Sequence, residues 1–249
     1  MVQAALNGPR TRAEHPAIPM TPAEQATEAR ASVAAGAGAI HVHVRDKDGN
    51  ESLADADVAM TIEAIRSACP GIPVGIGTGA WIIPDLHKRL SVIRSWSALP
   101  DFASVNLHEA GAAQVMEVLL KRGVGIEAGI WNAPAAVSLV KSGLGDRCLR
   151  ILLEPAEASC SAQMNLLQME AALIGVAPRR LLHGLGHRTW HLIEMAARRG
   201  YDTRIGFEDT LRLPDGTPAA SNAELVRAAR AIIRTAQDLS REMRVSLAE

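Results

Sequence analysis

The sequence predicts a (β/α)8 TIM barrel, an α/β fold in one catalytic domain over residues 1–249. Three observations lead there. The length, 249 residues, is close to that at which an eight-fold β/α barrel is complete. Short β-branched or apolar runs alternate with longer amphipathic stretches from end to end, which implies a parallel sheet. The first turn after a strand, Leu6-Asn7-Gly8-Pro9-Arg10, lacks the G-x-G-x-x-G cradle of a dinucleotide-binding open sheet, the structural alternative.

The expected strands are Val2–Leu6, Ala39–Val44, Val74–Thr78, Phe102–Asn106, Val124–Ala128, Leu149–Leu153, Leu181–His183 and Arg204–Phe207. Each is too short for a helix and is followed by Gly, Pro or polar residues. Thr21-Pro22-Ala23-Glu24 reads as an N-cap, a proline at the first helical position and an acid in the first turn. Ser221-Asn222-Ala223-Glu224 opens the last helix in the same way. Helices over Asp55–Ala68, Pro84–Ser95, Ala112–Arg122, Pro134–Ser142, Ser161–Leu173 and His187–Arg199 fill the other gaps.

Composition narrows the function classes. Apolar residues make up 48% and charged residues 21%, enough to bury a large core. The 26 basic and 27 acidic residues leave a formal charge of −1, so there is no basic field for a nucleic-acid backbone or an anionic membrane. Aromatics at 3% argue against base-stacking platforms. Cys69, Cys148 and Cys160 are widely spaced, form no Cys-x-x-Cys pair and read as buried small hydrophobes. The amino-terminal stretch reaches Pro9 and Arg10 too early for a signal peptide. The expectation is a soluble, cytoplasmic protein that contacts neither nucleic acid nor membrane.

Barrel enzymes place their chemistry at the carboxyl ends of strands, and polar residues fall there around the whole ring. His41 and His43 are two apart on a strand, so both imidazoles project to one side. That spacing suits zinc or another divalent transition metal, or else two polar residues at the rim. Glu208 is the natural third ligand. Its neighbour Asp209, on a strand, would point the other way. His183, His187 and His191 form a rival cluster, but H-R-T-W-H lacks the glutamate of H-E-x-x-H, so His187 and His191 read as surface or packing residues. The backbone of Gly184 and Gly186, before a helix, suggests an anion site, or simply a tight turn. Glu14, in the first loop, is placed to reach substrate, as are Thr78 and Asn106 at the ends of their strands.

Two anchors far apart in the chain resemble one family. Ala4-Ala5-Leu6-Asn7-Gly8, Glu14-His15-Pro16-Ala17-Ile18-Pro19 and His41-Val42-His43-Val44-Arg45-Asp46 make the first; Arg204-Ile205-Gly206-Phe207-Glu208-Asp209 makes the second. Both are similar to the β-keto acid cleavage enzymes, whose prototype acts on 3-keto-5-aminohexanoate. The resemblance implies a TIM barrel with Zn²⁺ on His41, His43 and Glu208. It implies a reversible Claisen-type exchange in which a β-keto acid and acetyl-CoA give acetoacetate and a new acyl-CoA. Asp209 would abstract the C2 proton, with Arg204 and Glu127 orienting and tuning it. It also implies a homo-oligomer, commonly a tetramer.

The chain departs from the family pattern in places. Gly77-Thr78-Gly79-Ala80 replaces Ser-Thr-Gly-Gly, Ala128-Gly129-Ile130-Trp131 replaces an E-x-F-D continuation, and Thr210 replaces Asn. Glu154-Pro155-Ala156-Glu157 stands where a glycine-rich turn is usual. Glu154 is expected to face the cavity mouth, where it would disfavour coenzyme A or select a cationic substrate. The alternative reading is another metal-dependent TIM-barrel C–C lyase or hydrolase that does not use CoA.

Overall fold

Eight parallel strands form a closed ring in chain order: β1 Val2–Ala5, β2 Ala39–Val42, β3 Val74–Gly77, β4 Phe102–Asn106, β5 Gly125–Ile130, β6 Arg150–Leu153, β7 Arg179–Leu182 and β8 Asp202–Ile205. The computed structural model describes residues 1–155 and 162–246. Gln3 of β1 lies in register with Arg204 of β8, which closes the barrel and excludes the open sheet. Each strand is followed by a helix: α1 Pro22–Ala34, α2 Asp55–Ala68, α3 Leu86–Ser95, α4 Ala112–Lys121, α5 Ala133–Ser142, α6 Ala162–Ala172, α7 Thr189–Arg199 and α8 Asn222–Ser246. The sequence therefore specifies the element order correctly.

Local chemistry explains where the helices begin. Thr21 caps α1 through a reciprocal pair: its hydroxyl accepts from the Glu24 amide, and the Glu24 carboxylate accepts from the Thr21 amide. Asn132 caps α5 by accepting from the Ala135 amide at 2.9 Å, and Gly143 ends that helix in the left-handed conformation.

The strands alternate between two cores. Ile40, Val42, Ile76, Val105, Ile126 and Ile151 belong to the apolar layer shared with the helices. Residues of the other parity point into the barrel. Gln3 of β1 donates to Glu127 of β5 at 2.7 Å, across the ring, and Arg150 of β6 meets the same carboxylate at 3.0 Å. The Arg150 guanidinium lies 5.2 Å from the centre of the Phe102 ring. Phe102 fits because Gly75 has no Cβ; one would stand 1.9 Å from the ring.

Five strands end earlier than the sequence suggests, β1 and β3 by one residue each, at Ala5 and Gly77. β2 stops at Val42, β7 at Leu182 and β8 at Ile205. Beyond them, side chains do the work of the ladder. Asn7 accepts from the His43 amide and donates to its carbonyl, both at 2.9 Å, and Gln25 donates to that carbonyl at 3.0 Å. Asn222 accepts from the Phe207 amide at 2.7 Å and donates to the Leu6 carbonyl at 3.0 Å. Glu208 and Asp209 consequently lie in a turn, with the Asp209 and Thr210 amides both donating to the Gly206 carbonyl. Their divergence comes from that turn and not from strand alternation, which corrects the sequence expectation.

Cys69 and Cys148 are buried, as expected. Cys160, Ala156 and Glu157 lie outside the described residues. Among the described residues, no helix is long and apolar enough to cross a membrane.

Two consequences are testable. Replacing Asn222 by Ala leaves the buried Phe207 amide and Leu6 carbonyl without this partner, and each such loss costs about 1–3 kcal/mol; urea unfolding should show that drop. Burial, with Asp146 nearby, pushes the Cys148 thiol up to about 12, and burial raises Cys69 as well. Iodoacetamide at pH 8 should leave both unlabelled in the folded protein and label both after denaturation, read by peptide mapping.

Candidate active site and metal centre

A cavity of about 370 Å³ opens at the carboxyl ends of the strands. His41, His43, Thr78, Asn106, Trp131, Glu154, Arg204 and Glu208 line it, with Arg10 and Glu14 of the first loop at its edge.

Atoms of His41, His43 and Glu208 lie within 4.8 Å of one another. His41 Nε2 stands 3.6 Å from Glu208 Oε2, and His43 Nε2 stands 3.5 Å from Glu208 Oε1. These separations are long for hydrogen bonds. They match what a shared tetrahedral ion requires, since two ligands each ~2.0–2.1 Å from it stand roughly 3.4 Å apart. Glu208 Oε2 is buried without a hydrogen-bond partner. Burial holds His41 neutral, with its pKa lowered to about 3 although Glu208 pulls the other way, and a neutral imidazole is the form that ligates. Gly77 leaves room beside the site, because a Cβ there would come 3.2 Å from His43 Nε2. Gly8 adopts φ +56°, and a Cβ on it would stand 2.4 Å from Glu208 Cγ. The residues fit a metal ion.

Behind His43 stands Glu51, which the sequence reading missed. Its Oε1 accepts from His43 Nδ1 in the tautomer that leaves Nε2 free toward Glu208. Its Oε2 accepts from Trp81 Nε1 at 2.9 Å, and the Trp81 ring stacks on His43 at 6.3 Å. Burial alone would lower the His43 pKa, but Glu208 and Glu51 outweigh it and raise it to about 9. A signal for Glu51 does exist in Asp46-Lys47-Asp48-Gly49-Asn50. Asp46 Oδ1 accepts from the Asp48 and Asn50 amides, both at 2.9 Å, and this turn pairs Glu51 back against Arg45.

Arg204 binds both acids of the Glu-Asp pair. Nη2 lies 3.0 Å from Glu208 Oε1 and donates to Asp209 Oδ1 at 2.8 Å, with Nε adding a third contact at 3.2 Å. Burial would lower the Arg204 pKa; Asp209, Glu208 and Glu154 reverse that and raise it. For Glu208, burial would raise the pKa, while Arg204 and the two imidazoles carry it well below the usual carboxylate range.

Asp209 is wholly buried, outside the residues that line the cavity, and its Oδ2 has no partner. Glu127 is also wholly buried. Its direct partners are Gln3 and Arg150, and Arg204 acts on it only through space. Thr78 lines the cavity while donating to the Ser104 carbonyl at 2.7 Å; Asn106 lines it while donating to Glu109 at 2.9 Å. Glu14 pairs with Arg10 at 2.8 Å.

Gly184 and Gly186 do not line the cavity. The Gly186 amide donates to the Asp209 carbonyl at 2.8 Å, and the Gly184 carbonyl accepts from Thr189. The anion cradle expected there is thus already filled by the protein. His187 and His191 are exposed. His183 is wholly buried, with one ring nitrogen 3.3 Å from Glu154 Oε2 and the other 3.3 Å from Asp209 Oδ1.

The family described as beta-keto acid cleavage enzyme matches residues 1–243. The 3-keto-5-aminohexanoate cleavage enzyme of Fusobacterium nucleatum subsp. nucleatum is 27% identical over 262 residues, covering 98% of this chain and 93% of its own. That of Acetoanaerobium sticklandii is 27% identical, covering 97% and 93%. Among solved structures, the binary complex of ObcA with oxaloacetate superposes with a TM-score of 0.67 at 17% identity. It covers 87% of this chain, which spans only 63% of that protein. A type I 3-dehydroquinate dehydratase from Clostridium difficile superposes with a TM-score of 0.61 at 13% identity, covering 94% and 92%. At these identities the structural likenesses speak for the barrel fold. The sequence match along nearly the whole chain speaks for more: this protein belongs to the β-keto acid cleavage enzyme family.

Proposed function

We propose that this enzyme is a zinc-dependent acyltransferase that cleaves a β-keto acid by exchange with acetyl-CoA, giving acetoacetate and a new acyl-CoA. The observation that carries the reading is the convergence of His41, His43 and Glu208 on one edge of a cavity whose adjoining wall is Arg204. Two related ObcA structures support it, one described as a complex with oxaloacetate and one with a C4-CoA adduct and oxalate. The rival reading, a lyase or hydrolase without CoA, draws on the acids Glu14 and Glu154 along the cavity wall. We take the protein to be one catalytic domain, cytoplasmic and homo-oligomeric, a tetramer by family resemblance.

His41, His43 and Glu208 would hold zinc, which when bound supplies Lewis-acid polarisation of the keto acid's carbonyl. The rest follows from the chain's own groups. Arg204, on the cavity wall, meets the anionic end of the substrate while it grips Asp209. The reading assigns proton removal at C2 to Asp209, whose Oδ2 carries an unshared lone pair. Substrate reaches that oxygen past the guanidinium. Glu127 keeps the tuning role in this reading, acting on Arg204 through space while Arg150 and Gln3 meet its carboxylate directly. Glu14, Thr78 and Asn106 are proposed as substrate contacts.

Elemental analysis should find one zinc per chain. Glu208→Gln should lose it, and Glu51→Gln should weaken its binding by roughly 10–100-fold by releasing the His43 tautomer; a chelator competition measures both. Asp209→Asn should keep zinc yet slow hydrogen–deuterium exchange at C2 of the bound keto acid by about 10²–10⁴-fold. Equal amounts of acetoacetate and acyl-CoA from a panel of β-keto acids support the transferase. Cleavage that proceeds without acetyl-CoA selects the rival.

A further inference from the structure

His183 is a wholly buried ionisable group beside the cavity that the proposed reaction leaves without a task. It follows β7, and its amide donates to the Leu153 carbonyl at 3.1 Å; Glu154 follows β6, and its amide donates to the Ile130 carbonyl at 2.9 Å. Both backbones thus extend the ladder by one residue, and both side chains leave rigid positions. The imidazole is wholly buried. Nε2 lies 3.3 Å from Glu154 Oε2 on the cavity wall, and Nδ1 lies 3.3 Å from Asp209 Oδ1 behind it. Neither contact is an aligned hydrogen bond. The ring is gripped between two carboxylates by charge.

Asp209 Oδ1 is where these contacts meet. Arg204 Nε and Nη2 donate to it, and His183 Nδ1 faces the same oxygen. Two hydrogen bonds from Arg204 and the charge of the His183 ring hold Oδ1 in place and leave Oδ2 as the free oxygen. Arg204 alone would not do this as firmly, because its Nη2 is divided between Asp209 and Glu208.

We propose that His183 is a positioning residue for Asp209, holding it from the side away from Glu208, and that Glu154 is the anchor that keeps His183 there. This rests on the reading of Asp209 as the group that meets C2. It assigns Glu154 a different task from the one its place on the wall suggests: its charge is matched by His183 and is not a free anion for selecting cationic substrates.

The working form is the imidazolium, which presents an N–H to each carboxylate. The charged groups facing it are Glu154 from β6, Arg204 and Asp209 from β8, His41 from β2 and Glu127 from β5. Burial and Arg204 would lower its pKa; Glu154 and Asp209 outweigh them and raise it. A raised value means that the clamp is present at lower pH and is lost as pH rises through it. The pH–rate profile should therefore carry a high-pH limb belonging to His183.

The test uses the zinc-loaded enzyme and a reactive β-keto acid. Nitrogen-15 NMR of the labelled protein across the pH range of activity should show both His183 nitrogens protonated at its lower end and one proton lost along the high-pH limb, with the resonance assigned by its loss in His183→Gln. His183→Gln should lower kcat for C2 exchange by roughly 10–100-fold, the range for removing a group that orients another from behind. KM and zinc content should hold, and the high-pH limb should vanish. Glu154→Gln should keep the limb but move it to lower pH, because one cause of the raised value is gone. A His183 that is singly protonated throughout that range overturns the proposal, whatever the reaction. So does a His183→Gln enzyme that exchanges as fast as wild type. If the wild type exchanges no β-keto acid, the keto-acid reading fails, and the clamp is then decided by the NMR result alone.

Discussion

One buried guanidinium holds this site together. Arg204 points into a barrel that also contains Glu127, Glu154, Glu208 and Asp209, and it touches the last two directly. Burying a charge is costly unless it is paired, and removing one partner strands the other. None of these groups is therefore independent of its neighbours. The same pairing divides the labour at the top of β8. Glu208 turns toward His41 and His43, and Asp209 turns toward His183.

The architecture around it solves a backbone problem. Several functional residues, His43, Thr78, Glu154, Glu208 and Asp209 among them, sit just past the strand ends, where the ladder no longer satisfies amides and carbonyls, and buried unpaired backbone groups are rare. Amide side chains fill the gap: Asn7 and Gln25 at His43, Asn222 at Phe207. Arg45 adds another tie, donating to the carbonyls of Gly8 and Arg10 and so pinning the first loop over the cavity. Gly8 is required in that loop because Glu208 occupies the space its side chain would take. Asn7, Gly8 and Arg45, which carry part of the family resemblance, serve the site as its scaffold.

Much of this was legible in the chain itself. Eight apolar runs alternating with amphipathic segments specify a parallel barrel, because both periodicities are local properties. The two-residue spacing of His41 and His43 places them on one side for the same reason. For Glu51 only the turn before it was legible; that the turn folds its carboxylate onto the His43 imidazole is a tertiary result. Gly184 and Gly186 misled, because a glycine-rich turn looks the same whether its amides await an anion or serve a neighbouring carbonyl.

The sequence by itself determined the fold, the order of its elements and the three residues that converge as a metal site. All of these follow from short-range periodicity and from strand ends gathered on one face of a closed ring. Only the tertiary structure decided which buried charge meets which. Glu127 faces Arg150 and Gln3, Glu154 faces His183, and Asp209 stands one layer behind the cavity wall. The physical reason is that these partners come from different strands, neighbouring ones for Glu127 with Arg150 and Glu154 with His183, and opposite ones for Glu127 with Gln3. Their pairing is set by inward geometry and the cost of leaving a charge unmatched, and neither is written in the spacing along any one strand.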